Sequence, residues 1–343
     1  MNLGHIRWRG GAPNGEWAVG IGKPQVRSRV VTLRIAYLGP PGTFSEEATK
    51  SQRDFSGATL VDVRTIPEAI GAVESGDADL AVVPLENAIE GSITATLDTL
   101  GFESELLIQR EIELPVHFHL AAKPGVALSD VTTVIAFSAS YAQCRQYLAK
   151  KLPGVAIIDA TSNAAAAAAL AKSRRANTVA ITNTTAMERY GLVPLAKDIA
   201  DHKDNVTRFV VVGRAIPNPS GHDKTSIVCF QRQDRPGSLL AMLSEFASRA
   251  INLTMVTSRP TKNGLGEYCF FIDVEGHIAD PLLADCLRSL AARSARVKFL
   301  GSYPVVGSAQ HRAKRHAISK SWRDAQRWVD QLQAQVGVIR DHD

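Results

Sequence analysis

Between residues 33 and 212 the chain repeats one unit: a short apolar run, a polar residue able to cap a helix, then a segment of helical character. Apolar runs at 33–38, 78–83, 134–137, 155–158, 179–182 and 206–212 predict strands. Thr43-Phe44-Ser45-Glu46 has the form of a capping box, with Glu46 and Glu47 in the first turn of its helix. Ser92 is placed to cap a helix running to residue 100, a further helix is expected over 140–151, and Thr161 or Ser162 precedes the alanine-rich helix to residue 171. Alanine has the highest helix propensity, so the run 164–169 reads as a tightly packed helix and not as low complexity. Strands alternating with helices imply an α/β fold with a mostly parallel sheet, or two. In such sheets ligands gather beyond the carboxyl ends of the strands.

The alternation stops at Pro217-Asn218-Pro219-Ser220-Gly221, where two prolines and a glycine can continue neither a strand nor a helix. About 80 residues follow that read strand, helix, strand, strand, helix, strand, a ferredoxin-like βαββαβ order. Its first helix, opened by Pro236 and Gly237, carries Leu239, Leu240, Leu243, Phe246 and Ala247 on one face. A hairpin is expected around Lys262-Asn263-Gly264, and Asp280-Pro281 starts the second helix. The expected organisation is therefore an extension at 1–31, disordered by composition, a catalytic region at 32–214, a small domain at 222–304 and a basic tail at 305–343. In that tail Trp322, Ala325, Trp328, Val329 and Leu332 fall on one helical stripe, expected to dock on the protein or on a partner subunit.

The net charge of +5 would suggest nucleic acid if it lay on a folded element. It does not: residues 1–31 hold five basic and one acidic residue, 305–343 hold seven and four, and the remainder holds 27 and 29. A nucleic-acid partner is excluded on that distribution. No window approaches the ~18 apolar residues of a membrane span, and Arg7 and Arg9 are followed by no apolar stretch, so neither a membrane anchor nor a secretory signal is expected. Cys144, Cys229, Cys269 and Cys286 form no Cys-x-x-Cys pair and sit among apolar neighbours, which fits reduced core thiols and a cytoplasmic location. His117 and His119 share one face of an expected strand, but no third ligand at metal-binding spacing lies near, so a structural role is expected and no metal.

Capped helix starts near strand ends offer free N–H groups and a positive dipole end, which together favour anions. At Asn205-Val206-Thr207-Arg208-Phe209 a hydroxyl and a guanidinium stand side by side at the start of a strand, suited to an anion that must lose a hydroxyl group. Gly39-Pro40-Pro41-Gly42-Thr43-Phe44-Ser45 and Pro84-Leu85-Glu86-Asn87-Ala88-Ile89-Glu90-Gly91-Ser92 precede it. These three motifs, in this order and ahead of a βαββαβ unit with Asp234-Arg235-Pro236-Gly237 at its first turn, closely resemble the prephenate dehydratase family with its C-terminal ACT domain. The resemblance covers residues 33–304, and with the first strand already open at Leu33 the chain is expected to be monofunctional.

The resemblance implies two doubly wound lobes like those of periplasmic binding proteins, followed by an amino-acid-sensing ACT module. It implies loss of water and carbon dioxide from prephenate to give phenylpyruvate, a reaction driven by aromatisation and needing no cofactor. It names Thr207 as the catalytic donor, with Thr43, Ser45, Asn87, Gln143, Arg208 and Phe209 as substrate contacts, Arg208 gripping a carboxylate. It also implies that phenylalanine acts at Gly237, Ser238, Leu239, Asn252, Ser258 and Arg259, in a homodimer or homotetramer.

Three departures are visible, the smallest being Gly237-Ser238-Leu239 where the family has Gly-Ala-Leu. The family's Ser-His-Pro-Gln is absent before Gln143-Cys144, which leaves open whether Ser138 replaces the family serine. Its Glu-Ser-Arg-Pro reads Thr257-Ser258-Arg259-Pro260 here. Arogenate dehydratase and prephenate decarboxylase chemistry on the same fold remain alternatives, as does a non-catalytic ligand-binding protein with an ACT sensor.

Overall fold

The computed structural model describes residues 32–231, 235–262, 264, 267–293, 296–306, 324–325 and 327–335. The N-terminal extension, the turn residue Asn263, Trp322 and most of the basic tail lie outside the described residues.

The first lobe runs β1 (Arg34–Leu38), α1 (Phe44–Lys50), β2 (Thr59–Val63), α2 (Ile66–Ser75), β3 (Leu80–Asn87), β4 (Gly91–Ser92), α3 (Thr94–Asp98) and β5 (Leu107–Pro115). The second runs β6 (His119–Ala122), β7 (Thr133–Phe137), α4 (Ser138–Gln143), α5 (Arg145–Lys151), β8 (Ala156–Ala160), α6 (Asn163–Lys172), β9 (Thr178–Thr182), α7 (Thr184–Tyr190) and β10 (Val193–Ala196). The chain then returns to the first lobe as β11 (Val206–Gly213). The first sheet has the order β2-β1-β3-β11-β5, with β4 beside β3, and the second β10-β6-β9-β7-β8. This is the doubly wound, bilobed α/β architecture expected.

The sheets are mixed and not mostly parallel. β11 comes back from the second lobe and enters the first sheet antiparallel to both β3 and β5, while β6 and β10 run antiparallel in the second. Local chemistry also differs from the sequence expectation in places. Thr43 precedes α1, but its hydroxyl donates to Leu38 O (2.9 Å) and does not cap the helix; Glu46 reaches back to the Gly42 N–H instead. Ser92 pairs in β4, so the following helix starts after Ile93 and ends in a π turn over Thr99–Glu103. The expected 140–151 helix breaks at Cys144. Ser162 does cap α6, accepting from Ala165 N–H at 3.0 Å.

The ACT-like unit is β12 (Asp223–Phe230), α8 (Ser238–Ala247), β13 (Leu253–Pro260), β14 (Tyr268–Glu275), α9 (Pro281–Arg293) and β15 (Arg296–Pro304), with the antiparallel sheet order β13-β14-β12-β15. One face of that sheet is covered by α8 and α9 around Ile227, Phe246, Ile272 and Leu290. The other packs on the first lobe, so that Leu100, Ile108, Val210 and Val212 share a core with Val228, Phe271, Leu300 and Tyr303. The approach is close enough to require glycine: at Gly301, with φ of +142°, a Cβ would collide with the Ile108 carbonyl oxygen.

Successive residues of a strand face opposite sides, and β11 shows what that does here. Phe209 and Val211 join the core facing Ile35, Val82, Ile112 and Leu114. Val210 and Val212 join the core shared with the second domain. In the tail, residues 324–325 and 327–333 are helical, with Trp328 61% and Leu332 44% exposed. The expected docking of that stripe on the chain's own surface is therefore not found. Among the described residues no helix is long and apolar enough to cross a membrane.

Candidate active site

A cavity of about 250 Å³ lies between the two lobes. From the first lobe β1, α1 and β3 contribute Leu38, Thr43, Phe44, Ser45, Pro84 and Asn87; β11 contributes Thr207 and Phe209. From the second come Phe118, Phe137, Ser140 and Gln143, with Ser162 and Asn163 at the start of α6. Phe44 and Phe118 meet edge to face across the lobes, centroids 5.7 Å apart.

Thr207 sits opposite Asn87 in the β11–β3 ladder. The Asn87 amide donates to Thr207 Oγ1 at 2.9 Å and to Asn205 Oδ1 at 2.8 Å. Its own oxygen accepts the N–H groups of Ile89 and Glu90 at 3.0 and 3.1 Å, an Asx turn that fixes the side chain. Thr207 Oγ1 therefore has one lone pair occupied, while no described residue accepts its proton. A hydroxyl held in this way keeps its proton available to a group bound in the cavity it lines.

Gln143, the last residue of α4, closes the ring from the other lobe. It donates to Glu90 Oε1 and accepts from Asn205 Nδ2, both at 2.7 Å. On another side of the lobe contact Glu47 accepts from Asn183 (2.7 Å) and Thr185 (3.1 Å). Besides the chain crossings, hydrogen bonds that can break and re-form join the lobes here, with no disulfide or metal tie among the described residues.

Thr43, Ser45, Asn87, Gln143, Thr207 and Phe209 all line the cavity. Arg208 does not. As Thr207's neighbour on the strand it faces the other way, is 8% exposed, and spends its donors on Glu111, Asp273 and Tyr303. The expected carboxylate grip by Arg208 has no geometry here. The resemblance had also passed over Asn205 and Glu90, though both stand inside the motifs it rests on. It missed Asn163 too, whose buried Oδ1 lacks a partner among the described residues. Ser138 opens α4 exposed and outside the cavity, whereas Ser140 lines it and donates to Phe137 O at 2.8 Å.

The lining carries one ionisable side chain, Glu90. Anion binding therefore falls to neutral hydroxyls, amides and the N–H groups at the start of α6. Cys144, next to Gln143, is buried, and desolvation pushes its thiol up to about 12, so it supplies no thiolate. His119 and the half-exposed His117 both face Asp198, at 3.9 and 2.9 Å, and among the described residues no group of three or more His, Cys, Asp or Glu side chains is arranged to hold a metal ion.

A second hollow lies in the small domain, between the start of α8 and the β13–β14 face. Gly237, Ser238, Leu239, Ser258, Tyr268 and Phe270 are among its walls. Asn252 and Arg259 stand outside it: Asn252 donates to Glu275 at 3.1 Å, and Arg259 pairs with Asp98 of the first lobe at 2.9 Å.

Residues 35–217 match the family model for prephenate dehydratase and residues 225–292 that for the ACT domain. A prephenate dehydratase of Mycolicibacterium vanbaalenii is 44% identical over 293 residues, spanning 80% of this chain and 93% of that protein. The crystal structure of an Arthrobacter aurescens prephenate dehydratase in complex with L-Phe superposes with a TM-score of 0.78 at 37% identity, covering 88% of this chain and all of that one. GqqA, described as a novel type of quorum-quenching acylase, superposes at 0.72 with 29% identity over 79% of this chain and 98% of that one. One fold thus carries differently named activities, and the site must decide between them. By the extent of the family match and by the 44% identity, this chain belongs to the prephenate dehydratase family, with a C-terminal ACT domain.

Proposed function

We propose that this chain converts prephenate to phenylpyruvate, releasing water and carbon dioxide. Prephenate enters the cleft with its two carboxylates toward the neutral donors of Ser45 and the α6 start, and its ring hydroxyl toward Thr207. The ring carboxylate leaves as carbon dioxide, and its bonding electrons complete the aromatic ring as the C–O bond breaks. The departing oxygen takes a proton and leaves as water. Thr207 donates a hydrogen bond to that oxygen as negative charge develops on it, the role of a preorganised donor in a site from which water is partly excluded. A threonine hydroxyl is too weak an acid to be the ultimate proton source, so it relays or shares a proton and does not supply one outright. Asn87 holds Thr207 from behind, and Gln143 with Asn205 holds the two lobes closed around the substrate.

The observation that carries this is the Thr207 hydroxyl: fixed by Asn87 at 2.9 Å, on the wall of the cavity, with its own proton unclaimed. Phenylalanine, with which the Arthrobacter aurescens relative was crystallised, acts in this reading at the ACT hollow through Gly237, Ser238, Leu239 and Ser258. β13 is an edge strand beside exposed Leu240, Val256 and Tyr268, and pairing it with a second copy would form a homodimer, or a homotetramer with further contacts between catalytic lobes. That arrangement would bring Asn252 of one copy toward the hollow of the other. Four buried free thiols fit a reducing cytoplasm. The test is to incubate the purified chain with prephenate and follow phenylpyruvate absorbance, with and without phenylalanine. Turnover that phenylalanine suppresses is expected; no phenylpyruvate from intact prephenate overturns the assignment.

A further inference from the structure

Arg208 is buried, charged and covalently next to the proposed catalytic donor, yet it takes no part in the cleft. Its partners come from two domains. Nε donates to Glu111 Oε2 of β5 at 2.8 Å, Nη1 to Asp273 Oδ2 of β14 at 2.7 Å, and Nη2 to the Tyr303 hydroxyl of β15 at 2.8 Å. Nη1 also lies 3.7 Å from Glu86, the residue before Asn87. The side chains of Glu111 and Asp273 are 0% and 2% exposed. Nothing here is a surface ion pair of small consequence. The cluster is closed on the ACT side as well: Ser226 donates to Asp273 Oδ1 and meets the Tyr303 hydroxyl, both at 2.6 Å, and Lys224 donates to Glu111 at 2.8 Å.

Two strands therefore stand back to back across this cluster, each with a site on its other face. β11 presents Thr207 to the cleft and Arg208 to the joint. β14 presents Tyr268 and Phe270 to the ACT hollow and Asp273 to the joint. The Arg208–Asp273 pair ties them. The ladder between β11 and β3 is irregular just there: Arg208 pairs with Glu86, but Phe209 pairs with Pro84, so one residue of β3 is skipped. An irregularity of this kind lets a strand re-aim a side chain without losing its whole register. A shift in β14 has a rigid path to Arg208, and a shift at Arg208 has a place to be absorbed within one residue of Thr207. The hollow's own edge is tied to the cleft loop too, since Thr257 meets Ser92 at 3.3 Å while its neighbour Ser258 lines the hollow.

We infer that Arg208 is a positioning residue and that the buried Arg208–Asp273–Tyr303 cluster is the joint through which occupancy of the ACT hollow resets the Thr207 hydroxyl. This rests on the assignment of phenylalanine to that hollow. The joint has the two properties a coupling element needs: each site borders one of its strands, and a buried charge cluster can rearrange only between discrete sets of partners.

The experiment uses the full chain with Tyr303→Phe and Asp273→Asn. Tyr303→Phe removes one acceptor from Arg208 and leaves its ion pairs; Asp273→Asn keeps the shape and removes the charge. Phenylalanine binding is measured by calorimetry, and kcat, KM and residual activity at saturating phenylalanine by phenylpyruvate formation. Allosteric coupling typically changes a response roughly 5–150-fold. In both variants phenylalanine should bind within about threefold of wild type while its inhibition falls below about threefold, with basal changes appearing in kcat more than in KM. A merely structural role for the cluster would lower the melting temperature and leave inhibition in proportion to binding. Variants inhibited as strongly as wild type overturn the joint, and variants that lose binding and inhibition together place the cluster in the effector site and overturn it equally. A wild-type enzyme that neither binds nor answers phenylalanine overturns the effector assignment itself, a separate result.

Discussion

The two faces of β11 are built from opposite chemistries. On the cleft side Thr207 and Phe209 meet neutral amides, hydroxyls and aromatic rings, with Glu90 the one ionisable side chain in the lining. On the joint side Arg208 meets Glu111 and Asp273 within 2.8 Å, in surroundings almost without water. Burial opposes the Arg208 charge, but Tyr303, Asp273 and Glu111 outweigh it and hold the guanidinium pKa above its ordinary value; the same burial pushes the Tyr303 phenol up. The difference teaches where a strand can store precision. The cleft lining offers an anion neutral donors and no fixed cation. The fixed charges are placed one residue away, where they can hold the backbone still.

Breaking the joint should produce the largest change in stability. Arg208→Ala leaves Glu111 and Asp273 buried with Lys224 as the remaining cation, and removing one partner of a buried pair costs about 3–5 kcal/mol. Denaturant unfolding should show a loss of that size; a loss below ~1 kcal/mol would mean that the joint is wet or loosely packed. Breaking the cleft face should leave the fold intact and remove turnover. Thr207→Ala deletes one preorganised donor, worth on the order of 10²–10³ in rate. The drop should appear in kcat with KM nearly unchanged, and turnover within threefold of wild type would remove Thr207 from the chemistry. The two variants together test the comparison, since one should unfold early with its chemistry groups intact and the other should melt normally and fail to turn over.

Much of this was legible beforehand, because periodicity reports burial. The strands and helices of the ACT unit follow from alternation and helical stripes, and the cleft residues Thr43, Ser45, Asn87, Gln143 and Thr207 follow from motif resemblance. What the sequence hid was direction. Adjacent letters, Thr207 and Arg208, look like one site, but the two-residue period of a strand sends them to opposite faces. The antiparallel return of β11 was hidden for a related reason: strand sense depends on where the chain re-enters a sheet, which a local pattern does not encode. Asn205 and Glu90 stood inside the recognised motifs, yet their pairing through Gln143 needs two lobes that lie far apart in the chain.

A smaller effect is expected where the lobes are held by neutral groups. Gln143→Ala removes two hydrogen bonds across the cleft, each contributing about 1 kcal/mol net. KM for prephenate should rise roughly five- to thirtyfold with a smaller change in kcat, because closure and not the leaving-group contact is weakened. An unchanged KM would show that the lobes close without this bridge.

The smallest effect separates neutral from charged chemistry by pH. His119 neighbours the cavity residue Phe118 in sequence; its Nδ1 accepts the Asp198 N–H at 3.1 Å, and Nε2 lies 3.1 Å from Thr184 Oγ1. That pattern suits a neutral ring with the proton on Nε2. Burial lowers its pKa, opposed by Asp198 and aided by His117 and Lys197. The folded value therefore lies below the unfolded value of about 6.5. As pH falls, the unfolded chain takes up this proton before the folded chain does, so stability declines as pH passes down through about 6.5 and levels off only below the folded pKa. Arg208 stays protonated throughout that window and contributes no slope of its own. Melting temperatures of wild type and His119→Gln from pH 8 to pH 5 should diverge in slope below about pH 6.5, with wild type the steeper. Parallel curves would show that His119 has the same pKa folded and unfolded, and a wild type that gains stability as pH falls would show that the ring is protonated in the fold.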